Sequence, residues 1–430
     1  MAGSLKLDGS QFLVKEGGQF KITNSELKLK SSGNTVVDSS GNALISESNG
    51  VVTMSDKMVP ANSFMFRNKI INGGMKISQR GTSFNLVHDG TNSAYTLDRY
   101  KVVLGGLAAY ECTVSQYSMS SSELNTTGHS KALKWETTTV ETGGITGTKN
   151  AYVKQMIEAQ SLQDLQYGTA SAKSFTLSFY VKTDIVGTYS VFFYKADGTA
   201  KSYATTYTTT TTDWEKHTVT VPGNTDSAAG IVDDNGQGLW VLWQIGAGPS
   251  YTSGTQNSWA NHTNSIFAAG HAQNGVMTTI NSKWYLTGVQ LEVGPSVTPF
   301  EHRPPGIELG LCQRYFQKLE YRSSWGASGF GRIRSTTSKV ITSLTYNHEM
   351  RIPPHTITLP TIGNAAGNIT FLVGEGYPAT HGSLEASYST ETYTSLLFQG
   401  FTQLGSEGEV AWAYVSGDPT PAIFKLDAEL

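Results

Sequence analysis

"FTLSFYVK", Phe175 to Lys182, is the stretch on which the fold turns. In an extended chain alternate side chains point to opposite faces, so Phe175, Leu177, Phe179 and Val181 share one face and Thr176, Ser178, Tyr180 and Lys182 the other. That is a core strand of an antiparallel sheet. "YSVFFYKADGTAKSY", Tyr189 to Tyr203, follows as a hairpin, with Asp197-Gly198 predicted at a type I′ turn. "WEKHTVTVPG" and "LWVLWQIGAG" continue at sandwich spacing, and the second is apolar on both faces, which predicts a central strand under covering loops. In "YLTGVQLEVGPSVTPFEHRP", Tyr285 to Pro304, the alternation predicts a half-buried strand with Tyr285, Val289, Leu291 and Val293 on one face and Gln290 and Glu292 on the other. Gly294, Pro295 and Pro299 then stop the sheet before Pro304 and Pro305. Helix signals are scarce. "NAYVKQMIEAQSLQDL" fits either an apolar helical stripe or a strand flowing into a short helix, and "GIELGLCQRYFQKL", Gly306 to Leu319, predicts a short helix.

Around this core the chain of 430 residues is too long for one ordinary domain. Charged residues make up 15%, against about 25% in a typical soluble protein, and glycine is abundant at 45 residues. This composition favours strands and turns. The formal net charge of −3 gives no global drive toward nucleic acid or anionic membrane, which discounts polymerase, repressor and nuclease functions. The opening "MAGSLKLDGS" has neither a basic region nor an apolar run, so synthesis in a cytosol is expected and the sequons at Asn125, Asn261 and Asn368 carry no weight. No apolar run approaches the roughly 18 to 20 residues of a membrane span. Cys112 and Cys312, 200 positions apart, lack the neighbours of a metal site.

Residues 4 to 54 differ from the rest. Short apolar pieces, Leu5 and Leu7, Phe12 and Val14, Phe20 and Ile22, Leu27 and Leu29, Val36 and Val37, Leu44 and Ile45, Val51 and Val52, recur between turn residues. Each buries too little surface to offset its ordering entropy. Identical copies wound on a common axis would complete such strands, the alternative being a flexible tail. Beyond the Pro304-Pro305 break, "KVITSLTYN", "ITFLVG", "SLLFQGF", "EVAWAYV" and "IFKLDAEL" read as short strands of a smaller domain. The expected architecture is all-β. An N-terminal β-stalk over residues 1–60 precedes a large antiparallel sandwich over 61–303, and a smaller C-terminal β-sandwich domain over 304–430 begins with a short helix at the junction.

"FRNKIINGGMKISQRGTSF" (Phe66 to Phe84), "YTLDRYKV" (Tyr95 to Val102), "WYLTGVQLEVGPSVTPFEHRP" and "LCQRYFQKL" together resemble a family of bacteriophage virion proteins found among tail fibres, related appendages and minor structural proteins. Tyr100 and Phe316 stand where that family often has Trp and Tyr. The resemblance covers most of residues 64 to 320. It implies a jelly-roll domain similar to carbohydrate-binding modules and a place on the surface of a phage particle, and it supplies neither a catalytic residue nor a ligand.

Glu301 and Arg303, two apart in an extended segment, share a face and read as a structural junction; His302 between them diverges, so a joint catalytic role is disfavoured. Gln79-Arg80 and Asp98-Arg99 read as structural forks to carboxylates or loop carbonyls. "DDNGQG" places Asp233, Asp234 and Asn235 as weak calcium candidates, although a plain turn fits better because the twelve-residue loop with its terminal Glu is missing. Trp214, Trp240, Trp243, Tyr251, Trp259 and Trp284 fall within about seventy residues interleaved with Gly, Asn, Gln and Ser. Aromatic faces with amides and hydroxyls hold neutral glycan, while the alternative for any of them is core packing. Trp243 falls in step with Leu239, Val241 and Ile245, so Trp240, Tyr251 and Trp259 remain as glycan candidates.

No Gly-x-Ser-x-Gly, Walker loop, His-Glu-x-x-His or paired-cysteine motif occurs, so no enzyme and no cofactor are expected. The expected function is a virion structural protein, a tail fibre or similar appendage that attaches to a host-surface glycan. It would be a homotrimer bound to other virion proteins. The alternatives are a capsid decoration or head-fibre protein, and a glycan-degrading tailspike whose acids converge only in space.

Overall fold

The structure is a computed structural model. It describes residues 5–7, 10–16, 19–22, 35–37, 43–48, 51–54, 66–87, 93–321, 329–335, 339–360, 368–373, 377–379, 383–399, 410–416 and 422–430. The chain divides into two compact units, Met1–Met65 and Phe66–Leu430.

In the first unit β1 (Leu5–Leu7), β2 (Ser10–Glu16) and β3 (Gln19–Ile22) form one antiparallel meander, and β4 (Thr35–Val37), β5 (Ala43–Ser48) and β6 (Val51–Met54) a second. The pieces expected as strands are strands, except Leu27 and Leu29, which lie outside the described residues. Each sheet is only three strands wide.

The second unit is built on a jelly-roll-type sandwich. Its strands are β7 (Ser83–Val87), β8 (Ser93–Tyr95), β9 (Lys101–Gly105), β10 (Glu111–Ser118), β11 (Lys131–Thr139), β12 (Asn150–Glu158) and β13 (Phe175–Thr183). They continue with β14 (Gly187–Lys195), β15 (Lys201–Thr209), β16 (Glu215–Val221), β17 (Gln237–Ala247), β18 (Ala260–Asn261) and β19 (Lys283–Val293). One sheet runs β16-β13-β19-β11-β10-β7 and the other β18-β15-β14-β17-β12-β9-β8, all antiparallel. Phe175, Leu177, Phe179 and Val181 of β13 meet Val191 and Phe193 of β14 and Val241, Trp243 and Ile245 of β17 in one core. As expected of a strand apolar on both faces, β17 is the middle strand of its sheet.

Three local expectations need correcting. The Tyr189–Tyr203 hairpin closes through the five residues between the Lys195↔Lys201 pair, and of Asp197-Gly198 only Gly198 has positive φ (53°), so the turn is not type I′. The predicted helix over 306–319 is α4 (Pro305–Gln313) alone: after Arg314 and Tyr315 the chain enters β20 (Phe316–Tyr321). In β19 Tyr285 does not share the core face with Val289. A bulge opposite Ser178–Tyr180 places an extra residue near Gly288, whose φ is +60°, and this reverses the alternation. Trp284 and Leu286 face the core on one side of the bulge, Val289, Leu291 and Val293 on the other. Nor is β19 half-buried, since Gln290 and Glu292 are as buried as the core face.

What covers that outer face explains their burial. Glu292 and Gln290 are bonded to the returning 298–301 segment, through Thr298 N to Glu292 Oε1 (2.8 Å) and Glu301 N to Gln290 Oε1 (2.8 Å). Tyr285 packs on Tyr117 and Trp214, beneath α1 (Ser121–Thr127). That helix starts on a Ser120/Glu123 capping box. Glu123 also accepts from Lys182 Nζ (3.0 Å) and Trp214 Nε1 (3.1 Å), which pins the helix to the sheet.

The "AYVKQMI" and "SLQDL" stretch resolves as strand β12 followed by a 3-10 turn, Ala159–Leu165. The C-terminal strands are β21 (Gly329–Ser335), β22 (Lys339–Thr345), β23 (Thr356–Thr358), β24 (Asn368–Val373), β25 (Tyr377–Ala379), β26 (Ser383–Ser389), β27 (Tyr393–Gln399), β28 (Val410–Ser416) and β29 (Ala422–Asp427). They form a seven-stranded sheet, β25-β24-β28-β21-β22-β27-β26, and a three-stranded one, β20-β29-β23. Cys112 and Cys312 are both buried and unbridged.

Candidate functional site

The Glu301–Arg303 segment holds the start of the second unit. Glu301 accepts from the backbone N–H of Phe66 and of Asn68 (3.0 Å), and Arg303 Nη2 lies 3.3 Å from Glu301 Oε2. Arg303 also donates to the carbonyls of Asn68 and Ile70, and Glu308 of α4 accepts from Asn72 N. Glu301 therefore binds the chain that opens the sandwich, using both of its oxygens. His302 points elsewhere, its ring 5.5 Å from that of His129 and 4.9 Å from that of Phe300.

The two arginines singled out in Gln79-Arg80 and Asp98-Arg99 meet the end of the described chain. Arg80 pairs with Asp427 (2.9 Å) and Glu429 (3.3 Å) and lies over the Phe316 ring at 3.7 Å. Arg99 pairs with Glu429, donates to the Met156 carbonyl and lies over the Tyr315 ring at 3.3 Å. Asp98 accepts from Gln79 N (2.7 Å), which fixes the two motifs against each other. Four separate sequence motifs thus converge on one buried knot.

In the "DDNGQG" loop Asp234 Oδ1 accepts from Gly236 N (2.8 Å), and Asn235 exchanges bonds with the Arg351 backbone and guanidinium (2.8 and 2.9 Å). Asp233 is exposed on the same turn. These groups close a turn and dock it on Arg351. Among the described residues no three His, Cys, Asp or Glu side chains gather as metal ligands do.

The aromatic residues separate into three places. Trp243 and Trp284 are fully buried in the core. Trp259 is half-buried at the core's edge, donating to the Pro222 carbonyl (2.7 Å) with its ring 5.6 Å from Tyr167 and 5.5 Å from Tyr203. Beside Tyr167 opens a shallow groove of about 360 Å³ lined by Gln163, Gln166, Thr169, Ser171 and Ile231. Tyr251, on the single-turn helix α2 (Pro249–Thr252), packs on Phe267 at 5.5 Å. Phe267 in turn touches Tyr152 and Phe192, so this loop covers part of the outer face of the seven-stranded sheet. Trp240 lies on that outer face. The structure does not bring Trp240, Tyr251 and Trp259 onto one platform.

What it does assemble around Trp240 went unread in the sequence. Tyr194 is its register partner on β14, the rings 4.7 Å apart, and both are half-buried. The Lys154 ammonium stands 3.4 Å from the Trp240 ring centroid, and Gln237 Oε1 accepts from Trp240 Nε1 (2.9 Å). His262 lies edge-on to Tyr194 at 5.0 Å and is bonded to Ser202 Oγ (2.7 Å). Lys101 of β9 is paired in register with Lys154. Burial, and then the neighbouring Lys101 charge, push the Lys154 amine down to about 7. A lysine inside the largely apolar "AYVKQMI" strand is the one sequence signal that points to this place.

No protein-family model matches the sequence, and no curated protein matches it. Solved structures to which the chain is similar include a family 4 carbohydrate-binding module, at 15% identity, covering 52% of this chain and 97% of that one with a TM-score of 0.25. A family 11 carbohydrate-binding module from Clostridium thermocellum in complex with a β-1,3-1,4-mixed-linked tetrasaccharide is 10% identical, covering 51% and 99%, with a TM-score of 0.23. An exo-β-agarase is 12% identical, covering 71% of this chain and 38% of that one, with a TM-score of 0.24.

Proposed function

We propose that the protein is a non-enzymatic, adhesive structural component of a bacteriophage particle, a tail fibre or similar appendage, that holds a host-surface glycan on the outer face of the sandwich sheet that contains β14, β17 and β12. The observation that carries the binding half is the Trp240–Tyr194 pair, two half-buried rings side by side on a sheet face with Gln237, His262 and Lys154 as polar neighbours. Rings so placed stack on the C–H faces of sugars, and amides or amines read the hydroxyls. Support for the particle setting comes from the motifs between Phe66 and Leu319 that resemble virion proteins.

Trp240→Ala is expected to weaken glycan binding about fivefold per site, since stacking on one ring contributes on the order of 1 kcal/mol. The melting transition should move little, because Trp240 lies outside the main core. Glycan-array binding followed by titration measures this. Unchanged affinity for every bound glycan would remove Trp240 from the site.

Weak single sites serve adhesion when several copies act together. Residues 1–60 are the proposed trimerisation and attachment segment, because two meanders of three short strands gain most from pairing with other copies. Deleting 1–60 should leave a folded remainder that sediments as a smaller species. A truncated protein that stays trimeric in analytical ultracentrifugation would move the interface out of this segment.

A further inference from the structure

The polar groups around Trp240 are unevenly charged. Lys154 is only 6% exposed, yet its ammonium has no hydrogen-bond acceptor and no carboxylate partner among the described residues. The Trp240 ring stands 3.4 Å from it. Across the ladder in register stands a second cation, Lys101, whose own close contact is the Tyr95 ring at 5.1 Å. Among the side-chain carboxylates nearby, Glu158 is held by Arg314 (2.8 Å), Asp226 by Lys201, and Glu429 by Arg99 and Arg80, while the terminal Leu430 oxygen accepts from the Tyr95 hydroxyl (2.6 Å). Burying an ammonium without an anion is costly, and a like charge beside it adds to the cost. An aromatic face offsets only part of it. Methionine at the same position would fill the space without that cost, so the charge is a feature that the fold does not need.

We infer that the glycan held at the Trp240 face is an acidic one, whose anionic group sits against the Lys154 ammonium while its ring stacks on Trp240 and Tyr194. This rests on the glycan-binding reading above and narrows it, since the amide- and hydroxyl-rich loop at 248–265 pointed to a neutral ligand. Lys101 supplies a second positive charge two strands from Trp240, in register with Lys154. Carboxylate and sulfate sugars share the chemistry required, and the probes separate them.

The test compares the full-length protein with Lys154→Met and Lys101→Met on a panel of oligouronates, their methyl esters, sulfated oligosaccharides and the unsulfated parents. The expected result is binding to at least one charged member, at least tenfold weaker or absent for its uncharged counterpart, weakening with added salt, and lost in Lys154→Met. The same variant should melt at an unchanged or higher temperature, because it removes a buried charge. Which charged class binds identifies the anion. Neutral members bound as tightly as charged ones, or charged members still bound by Lys154→Met, would overturn the acidic-ligand inference and leave glycan binding standing. Binding to no member of the panel by the wild-type protein would overturn it as well, and a broader neutral-glycan array, scored with Trp240→Ala, would then decide the fate of the wider reading. A lower melting temperature in Lys154→Met would show that the ammonium serves the fold instead.

Discussion

Glu429→Ala should destabilise the second unit by about 3–5 kcal/mol, the range seen when one member of a buried ion pair is removed. Arg99 is 1% exposed and Glu429 2%, so the guanidinium left behind can reach neither water nor another carboxylate without repacking. The Tyr315 face at 3.3 Å and the Met156 carbonyl remain, and they compensate only in part. Arg80 loses one of its two carboxylates in the same step. With total stabilities of roughly 5–15 kcal/mol, such a loss is a large fraction of the whole. It should appear as a marked fall in the urea midpoint of the first transition. Arg99→Met combined with Glu429→Leu should cost much less than the sum of the single changes, since an apolar pair leaves no charge stranded. A single variant with an unchanged midpoint would mean that the knot does not hold the C-terminal segment to the sandwich.

That knot also shows how far the sequence could be read. Alternation in "FTLSFYVK" and the double-faced apolarity of "LWVLWQIGAG" are consequences of a period of two, so the sandwich and the central place of β17 were legible. A bulge at Gly288 breaks that period with one residue, and nothing in "YLTGVQLEV" announces that a glycine there is a bulge and not part of the ladder. Hence simple alternation puts Tyr285 on the wrong face. In "GLCQRYFQKL" the apolar spacing suits a helix, but from Phe316 the chain pairs with β29 (Phe316↔Asp427) while Arg99 and Arg80 stack on Tyr315 and Phe316, contacts made with residues more than one hundred positions away. Single-residue arguments placed Trp243 in the core and Trp240 outside it, because that depends on parity within one strand. They could not place Trp259 or Tyr251 relative to Trp240, because that depends on where a loop lands. Lys154 and Tyr194 reach Trp240 only through strand register.

Acidification from pH 7 to pH 5 should destabilise the protein well before its carboxylates titrate, because burial lowers several histidines, His129 and His271 furthest and His217, His262 and His302 in the same direction. His129 is pushed down to about 4 by burial first, then by His302, Lys76 and Lys216; its ring is enclosed by Phe300 (4.5 Å), Tyr180 (6.0 Å) and His302. His271 is likewise pushed down to about 4 by burial, and its Nδ1 accepts from Ser190 N (3.2 Å), a bond that protonation would break. In both cases the folded-state pKa is below the unfolded value of about 6.5, so between 6.5 and 4 the unfolded chain binds more protons than the folded one. Stability is therefore fully present above about 6.5 and is lost as pH falls through that window. Each histidine accounts for roughly 2 kcal/mol of loss at pH 5. Glu123, held down to about 2 by the Ser120 backbone, Lys182 and Trp214 against the opposing effect of burial, loses its contribution only below about 4.5, so the two windows barely overlap. Urea midpoints at pH 7 and pH 5 measure the slope. His129→Gln with His271→Gln should lower stability at pH 7 through lost packing and flatten the difference between the two pH values. A double variant that keeps the full wild-type pH dependence would assign the acid sensitivity to other groups.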